Sequence, residues 1–124
     1  HPEVASKLHF EIPEECFIEH PHHTALLCNA IRQAGAIFGV DNYGRNFQSL
    51  EYIKEFRPNY VKLDYLFTHK LHDEKQKFTL TSISRTAHNL GITTIASRIE
   101  TQIQLDFLAE HFVEVFQGFI VDKE

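Results

Sequence analysis

The side chains best suited to chemistry in this chain stand at or near the ends of short β-rich runs, alternating there with apolar residues. Read with a period of two, one face carries His9 and Glu11, Gly39 and Asp41, Lys62 and Asp64, Ser97, and Gln117. The other carries Phe10 and Ile12, Phe38 and Val40, Val61 and Leu63, Ala96, and Phe116. Carboxylates, an ammonium and an amide therefore share one side of whatever sheet these runs build. Other candidates are weaker. Cys16 and Cys28 lie twelve positions apart without a Cys-x-x-Cys pair and read as core or half-buried thiols of a reducing compartment. His20-Pro21-His22-His23 offers imidazoles, but no Cys or Asp follows at ligand spacing, so the run reads as the solvated opening of a helix.

The elements that must position these groups alternate along the whole chain. Strands are expected over Lys7–Ile12, Ala36–Asp41, Tyr60–Asp64, Thr93–Ser97 and Glu114–Gln117. Helices are expected over His22–Ala34, Gln48–Phe56, Glu74–Leu90 and Thr101–His111. In the first, Leu26, Leu27, Ala30, Ile31 and Ala34 form an apolar stripe, and Gly35 supplies the stop. In the third, Leu80, Ile83, Ala87 and Leu90 repeat the pattern before Gly91. Strand and helix at this rhythm mean a parallel sheet with right-handed crossovers. An open, doubly wound sheet needs both faces apolar, whereas a barrel has one wall against helices and collects polar groups at the carboxyl ends of its strands. The fold expected is α/β, with parallel (β/α) repeats forming about half of a TIM-like (β/α)8 barrel, since a whole barrel takes about 250 residues.

Composition narrows the function. With 124 residues, 43% of them apolar and 23% charged, the chain is an ordered globular unit. Twelve basic against seventeen acidic residues give a net charge of −5, which argues against DNA or RNA as partners. No apolar run approaches the roughly 18 residues of a membrane span, and no signal peptide is expected within these residues. A chain that opens His1-Pro2 and contains no Met reads as a piece of a longer protein.

Five ordered motifs carry a family resemblance: Glu11-Ile12-Pro13-Glu14, Asp41-Asn42-Tyr43-Gly44, Lys62-Leu63-Asp64 with Phe67, Ser97-Arg98-Ile99-Glu100-Thr101, and Gln117-Gly118-Phe119. They resemble Glu-x-x-Glu, Asp-Asp-Phe-Gly, Lys-Ile-Asp, Glu-Gly-Val-Glu-Thr and Gln-Gly-Tyr of the EAL domain, a bacterial cyclic-di-GMP phosphodiesterase family of modified (β/α)8 barrels. The resemblance implies that residues 1–124 are the C-terminal half of one such domain, the half with the Glu-Ala-Leu signature lying upstream. In active members carboxylates hold two Mg²⁺ or Mn²⁺ ions that activate a water, beside a strand lysine. Carried over, Glu11 and Asp41 stand at metal-ligand positions and Lys62 is the strand lysine. Glu100 is the second Glu of its motif, and Gln117 the late glutamine near the ligand.

The departures from that pattern share a direction. Asn42 replaces an Asp, Ser97 a Glu, Arg98 a Gly, and Arg45 a loop threonine, so two negative charges are lost and two positive ones gained. The expectation is a catalytically inactive module with no resident metal, in which Glu11, Asp41 and Lys62 are vestigial. Its ligand would be cyclic-di-GMP, met by Glu11, Asp41, Lys62, Arg98, Glu100 and Gln117, because arginine pairs with phosphate while carboxylates and glutamine read guanine donors. The alternatives are a weakly active phosphodiesterase and an interaction scaffold without ligand, in which the helices after Ser97 and around Gln48 would be contact surfaces. Degenerate members usually accompany a GGDEF-type domain. Some, the LapD-type receptors, are anchored in the inner membrane with this part cytoplasmic. Half a barrel also leaves open sheet edges, so self-association is expected.

Overall fold

The computed structural model describes residues 8–46, 48–64, 67, 73–110, 113 and 115–118. Its elements run β1 (His9–Pro13), α1 (Glu14–Glu19), α2 (Pro21–Gln33), β2 (Ile37–Tyr43), α3 (Ser49–Phe56), β3 (Tyr60–Leu63), α4 (Glu74–Leu90), β4 (Thr93–Ile99), α5 (Gln102–Glu110) and β5 (Val115–Gly118). All four strand pairs are parallel, and the sheet order is the chain order, β1-β2-β3-β4-β5. A doubly wound sheet would reverse direction at a switch point; this one never does, which is the winding of a barrel wall. Among the expected ends, Lys7, His111, Glu114 and Phe119 lie outside the described residues.

The apolar face foreseen for the strands is the core. Phe38, Val40, Val61 and Ala96 are fully buried and Ile12 and Leu63 nearly so, packed against Tyr52, Ile53 and Phe56 of α3, Leu80, Ile83 and Ala87 of α4, and Leu108 of α5. Phe10 is the exception at 42% exposed, because β1 has a neighbouring strand on one side only among the described residues.

Two expectations fail. The stripe expected on α2 is buried only at Ile31: Leu26, Leu27, Ala30 and Ala34 are exposed, and Thr24 and Cys28 face inward with Ile31. These three keep helical spacing, and the Thr24 hydroxyl is buried at no loss because it donates to the Cys16 carbonyl at 2.8 Å. Hydropathy alone had favoured the leucines. The second is α1, not foreseen at all, since six residues are too short to show a period.

Local chemistry fixes the element ends. Asp73 caps α4 by accepting from the Lys75 and Gln76 N–H groups, and Gly91 ends it at φ 76°. Thr101, expected inside the last helix, instead caps it. Its Oγ1 accepts from the Gln104 N–H while Gln104 Oε1 accepts from the Thr101 and Glu100 N–H groups, a reciprocal capping box. Arg32 of α2 closes the far end of α3 by donating to the Phe56 and Arg57 carbonyls, its guanidinium 4.9 Å from the Phe38 ring centre.

One buried group is left over. Ser84 of α4 is fully buried and its Oγ has no hydrogen-bond partner among the described residues. Ser84→Ala should therefore raise stability by about 1 kcal/mol in chemical denaturation, through the lost desolvation cost and better helix propensity. A destabilisation of that size would mean the hydroxyl has a partner.

Candidate binding site at the strand ends

Strands β2 and β4 end in the same way. Each has a register shift at its carboxyl end, between Val40 and Tyr43 and between Ala96 and Ile99. Each places one residue in the left-handed region there: Asn42 at φ 55° and Arg98 at φ 59°. The preceding residues, Asp41 and Ser97, are half-buried, while Asn42 and Arg98 are exposed. These bulges turn four side chains toward one mouth. They flank the end of β3, where Asp64 is buried at 3%. A cavity of about 290 Å³ opens between them, lined by Asp41, Asn42, Arg45, Asp64, Ser97 and Arg98, with Leu63 and Glu15 completing the wall.

The carboxylates at this mouth are engaged by N–H donors. Arg45 Nε lies 3.5 Å from Asp64 Oδ2. Asp41 Oδ1 accepts from the Asn42 N–H at 3.0 Å. One layer lower, Glu11 Oε2 meets Lys62 Nζ at 2.7 Å and the Tyr60 hydroxyl at 3.2 Å. Burial first, then the neighbouring charges of Glu11 and Asp41, push the Tyr60 phenol up to about 12, so it is a donor at neutral pH.

The loop that carries Arg45 hangs on Glu14. This carboxylate, 1% exposed, sits at the start of α1, and no Lys or Arg among the described residues pairs with it. It accepts instead from the Gly44 and Arg45 N–H groups, both at 3.2 Å, from Asn46 Nδ2 at 2.9 Å, from the Tyr52 hydroxyl at 2.6 Å and from Ser49 Oγ. Such a set of donors offsets the cost of burying the charge. Burial, together with the charge of Glu14, holds the Tyr43 and Tyr52 phenols well above their ordinary range. Gly44, at φ 105°, lies against the Phe67 ring, where a Cβ would meet it at 2.6 Å.

Of the residues expected to meet a ligand, Asp41 and Arg98 line the cavity, together with Asn42 and Ser97. Glu11 and Lys62 form their own pair below it. Glu100 stands apart: it is exposed beyond the β4 bulge, its N–H bonded to Gln104. Gln117 falls on β5, beside β4. The sequence reading gave no role to Glu14, Tyr60 or Asp64. Glu14 was visible only as the end of a motif, and Tyr60 only as the residue two before Lys62 on the same strand face.

A family model described as the EAL domain matches residues 1–124. The cyclic di-GMP phosphodiesterase PdeB of Shewanella oneidensis is 29% identical over 115 residues, 92% of this chain and 13% of that protein. The structure of Vibrio cholerae LapD S helix-GGDEF-EAL bound to c-di-GMP is 81% identical with a TM-score of 0.89, over 96% of this chain and 29% of that one. The Klebsiella pneumoniae BlrP1 manganese/cy-diGMP complex is 26% identical with a TM-score of 0.82, over 90% of this chain and 28% of that one. The chain thus spans less than a third of each of these proteins.

Glu14→Gln tests the loop anchor. An amide cannot accept at both ends, so two of its donors would face an N–H₂ group. The change should cost about 3 kcal/mol of unfolding free energy. A loss under about 0.5 kcal/mol, the range of an ordinary surface substitution, would show that the loop is held by other contacts.

Proposed function

This chain belongs to the EAL domain family, and from that premise we propose that it is the C-terminal half of a catalytically inactive EAL module whose whole domain is a cyclic-di-GMP receptor. The observation that carries the reading is the donor set at the strand ends. The family normally uses Mg²⁺ or Mn²⁺, hard ions that need several anionic oxygens converging on one point. Among the described residues no group of three or more His, Cys, Asp or Glu could hold a metal ion. Asn42 and Ser97 stand where the family pattern has carboxylates, and Asp64 and Glu11 are met by Arg45 and Lys62. These residues do not fit a pair of divalent cations. They do fit an anionic ligand bearing N–H donors: Arg98 for a phosphate, with Asp41 and the Glu11–Lys62 pair beside it, while Glu100 and Gln117 enter the proposed set from the family pattern alone. The 81% identity to the Vibrio cholerae LapD structure bound to c-di-GMP supports the same ligand.

A GGDEF-type domain in the parent protein fits this reading, as does a parent anchored in the inner membrane with this module on its cytoplasmic side. No helix among the described residues is long and apolar enough to cross a membrane itself. The residues also imply a covering for β1: its Phe10 and the preceding Leu8 are 42% and 59% exposed beside an edge with no strand partner among the described residues. We assign that covering to the other half of the barrel, and expect the isolated 124 residues to self-associate, as light scattering would detect. A monodisperse monomer would contradict this.

One observation favours a second reading, a weakly active phosphodiesterase: PdeB, at 29% identity, is named for that activity. Titrating the parent protein with cyclic-di-GMP, with and without Mn²⁺, separates the two. Binding without turnover is expected. Mn²⁺-dependent release of linear dinucleotide at about 1 per second or faster, an ordinary enzyme rate, would overturn the receptor reading. The combined change Asn42→Asp, Ser97→Glu and Arg98→Gly returns two carboxylates and removes one cation. It should create calorimetrically visible Mn²⁺ binding that each single change lacks.

A further inference from the structure

We propose that Tyr60 is a positioning residue for Glu11: its ring lies over the bare backbone of Gly39, and its hydroxyl, with Lys62, commits Glu11 Oε2 to the protein so that only Oε1 is offered to a ligand. The inference rests on the reading of this site as a receptor. Its geometry comes from three neighbouring strands. Glu11 pairs in register with Gly39, and Gly39 with Tyr60, so the three occupy one layer across β1, β2 and β3. Tyr60 cannot reach Glu11 from β3 without crossing β2. It crosses at the residue that lacks a side chain, and a Cβ at Gly39 would overlap the Tyr60 ring. The His9 ring, on β1, lies with its centre 6.2 Å from that of Tyr60 and borders the other side of the crossing. Tyr60 as a whole is 8% exposed, which holds its ring on Gly39, while its hydroxyl meets Glu11 at a part-buried edge.

Both donors to Glu11 thus stand on β3 and converge on one oxygen, Oε2, at 3.2 and 2.7 Å. Oε1 takes part in no hydrogen bond among the described residues. A carboxylate held in this way offers one lone-pair edge in a fixed direction, which suits a single N–H donor and does not suit bridging or bidentate contact with an ion. The preorganisation is supplied by a residue two strands from the carboxylate, across a glycine on the strand between them.

The test uses the parent protein. Tyr60→Phe keeps the ring on Gly39 and deletes only the donor, so the melting temperature should barely move. In crystals of the ligand-free protein the Glu11 carboxylate should leave its place beside Lys62 or split between rotamers. Cyclic-di-GMP binding, read by calorimetry, should weaken by about tenfold, the scale of a lost hydrogen bond to a charged group. In a Glu11→Ala background the same Tyr60→Phe change should cost nothing further, because its effect passes through Glu11. Gly39→Ala should displace the ring and Glu11 together; if that variant does not fold, Tyr60→Phe decides alone. An unmoved Glu11 in the ligand-free Tyr60→Phe crystals overturns the proposal, as does an equal loss of affinity in both backgrounds. If the parent binds no cyclic-di-GMP, the receptor reading fails, while the position of Glu11 in the ligand-free crystals still decides the role of Tyr60.

Discussion

A single buried carboxylate organises this half of the barrel. Glu14 has been taken out of water with no Lys or Arg among the described residues to meet it, so it must be solvated by the chain itself. The groups that solvate it come from the loop after β2 and from the first turns of α3. Helix α3 also packs on α1 through Tyr52 and Phe56 against Phe17, but the loop after β2 is tied to α1 by its hydrogen bonds to Glu14. The cost of burying the charge therefore becomes a constraint on where the loop can lie. The position of Arg45 follows, and with it the contact between Arg45 and Asp64. The aromatic contacts reinforce the arrangement, since Phe17 stacks on Tyr52 at 4.9 Å and Tyr52 meets Tyr43 edge-on at 5.8 Å. An apolar residue at position 14 would have freed the loop to adopt other conformations.

The strand pattern was legible because burial and alternation agree wherever a helix covers the sheet. Phe38, Val40, Val61, Leu63 and Ala96 could be assigned to the core from period alone. The helix ends were legible where Gly35 and Gly91 stop the chain. What failed were places where a polar group is buried because it finds a backbone partner, as Thr24 does on α2, or where an element is too short for a period, as with α1. The candidate site divides in the same manner. Asp41, Ser97 and Arg98 could be found at strand ends because topology puts them there. Glu14 and Tyr60 could not, because what matters about them is a set of contacts from residues up to 49 positions away. Hydrogen bonds of that span leave no local signature in a sequence.

The two layers of charge within the site have different characters. At the mouth, Arg45 is more than half exposed in its contact with Asp64, so that ion pair is weak and screened and its members can turn toward a ligand at small cost. Below it, Lys62 is 23% exposed beside Glu11, and a tyrosine shares the same oxygen. The lower layer is the stiffer one. A ligand entering from the strand ends would meet adaptable groups first and a fixed acceptor last.

The paired bulges have an evolutionary consequence. At positions 42 and 98 the backbone is left-handed, so a substitution there is filtered by conformation before its charge matters. On β2 the filter is permissive, because asparagine and aspartate both tolerate that region. A lineage can gain or lose a carboxylate at position 42 by one change with almost no effect on folding. On β4 the filter is strict. An arginine at φ 59° carries strain of about 1 kcal/mol or more that a glycine would not. The two halves of the rim thus answer to substitution differently: one exchanges carboxylate and amide at almost no conformational cost, and the other bears a standing cost for its arginine.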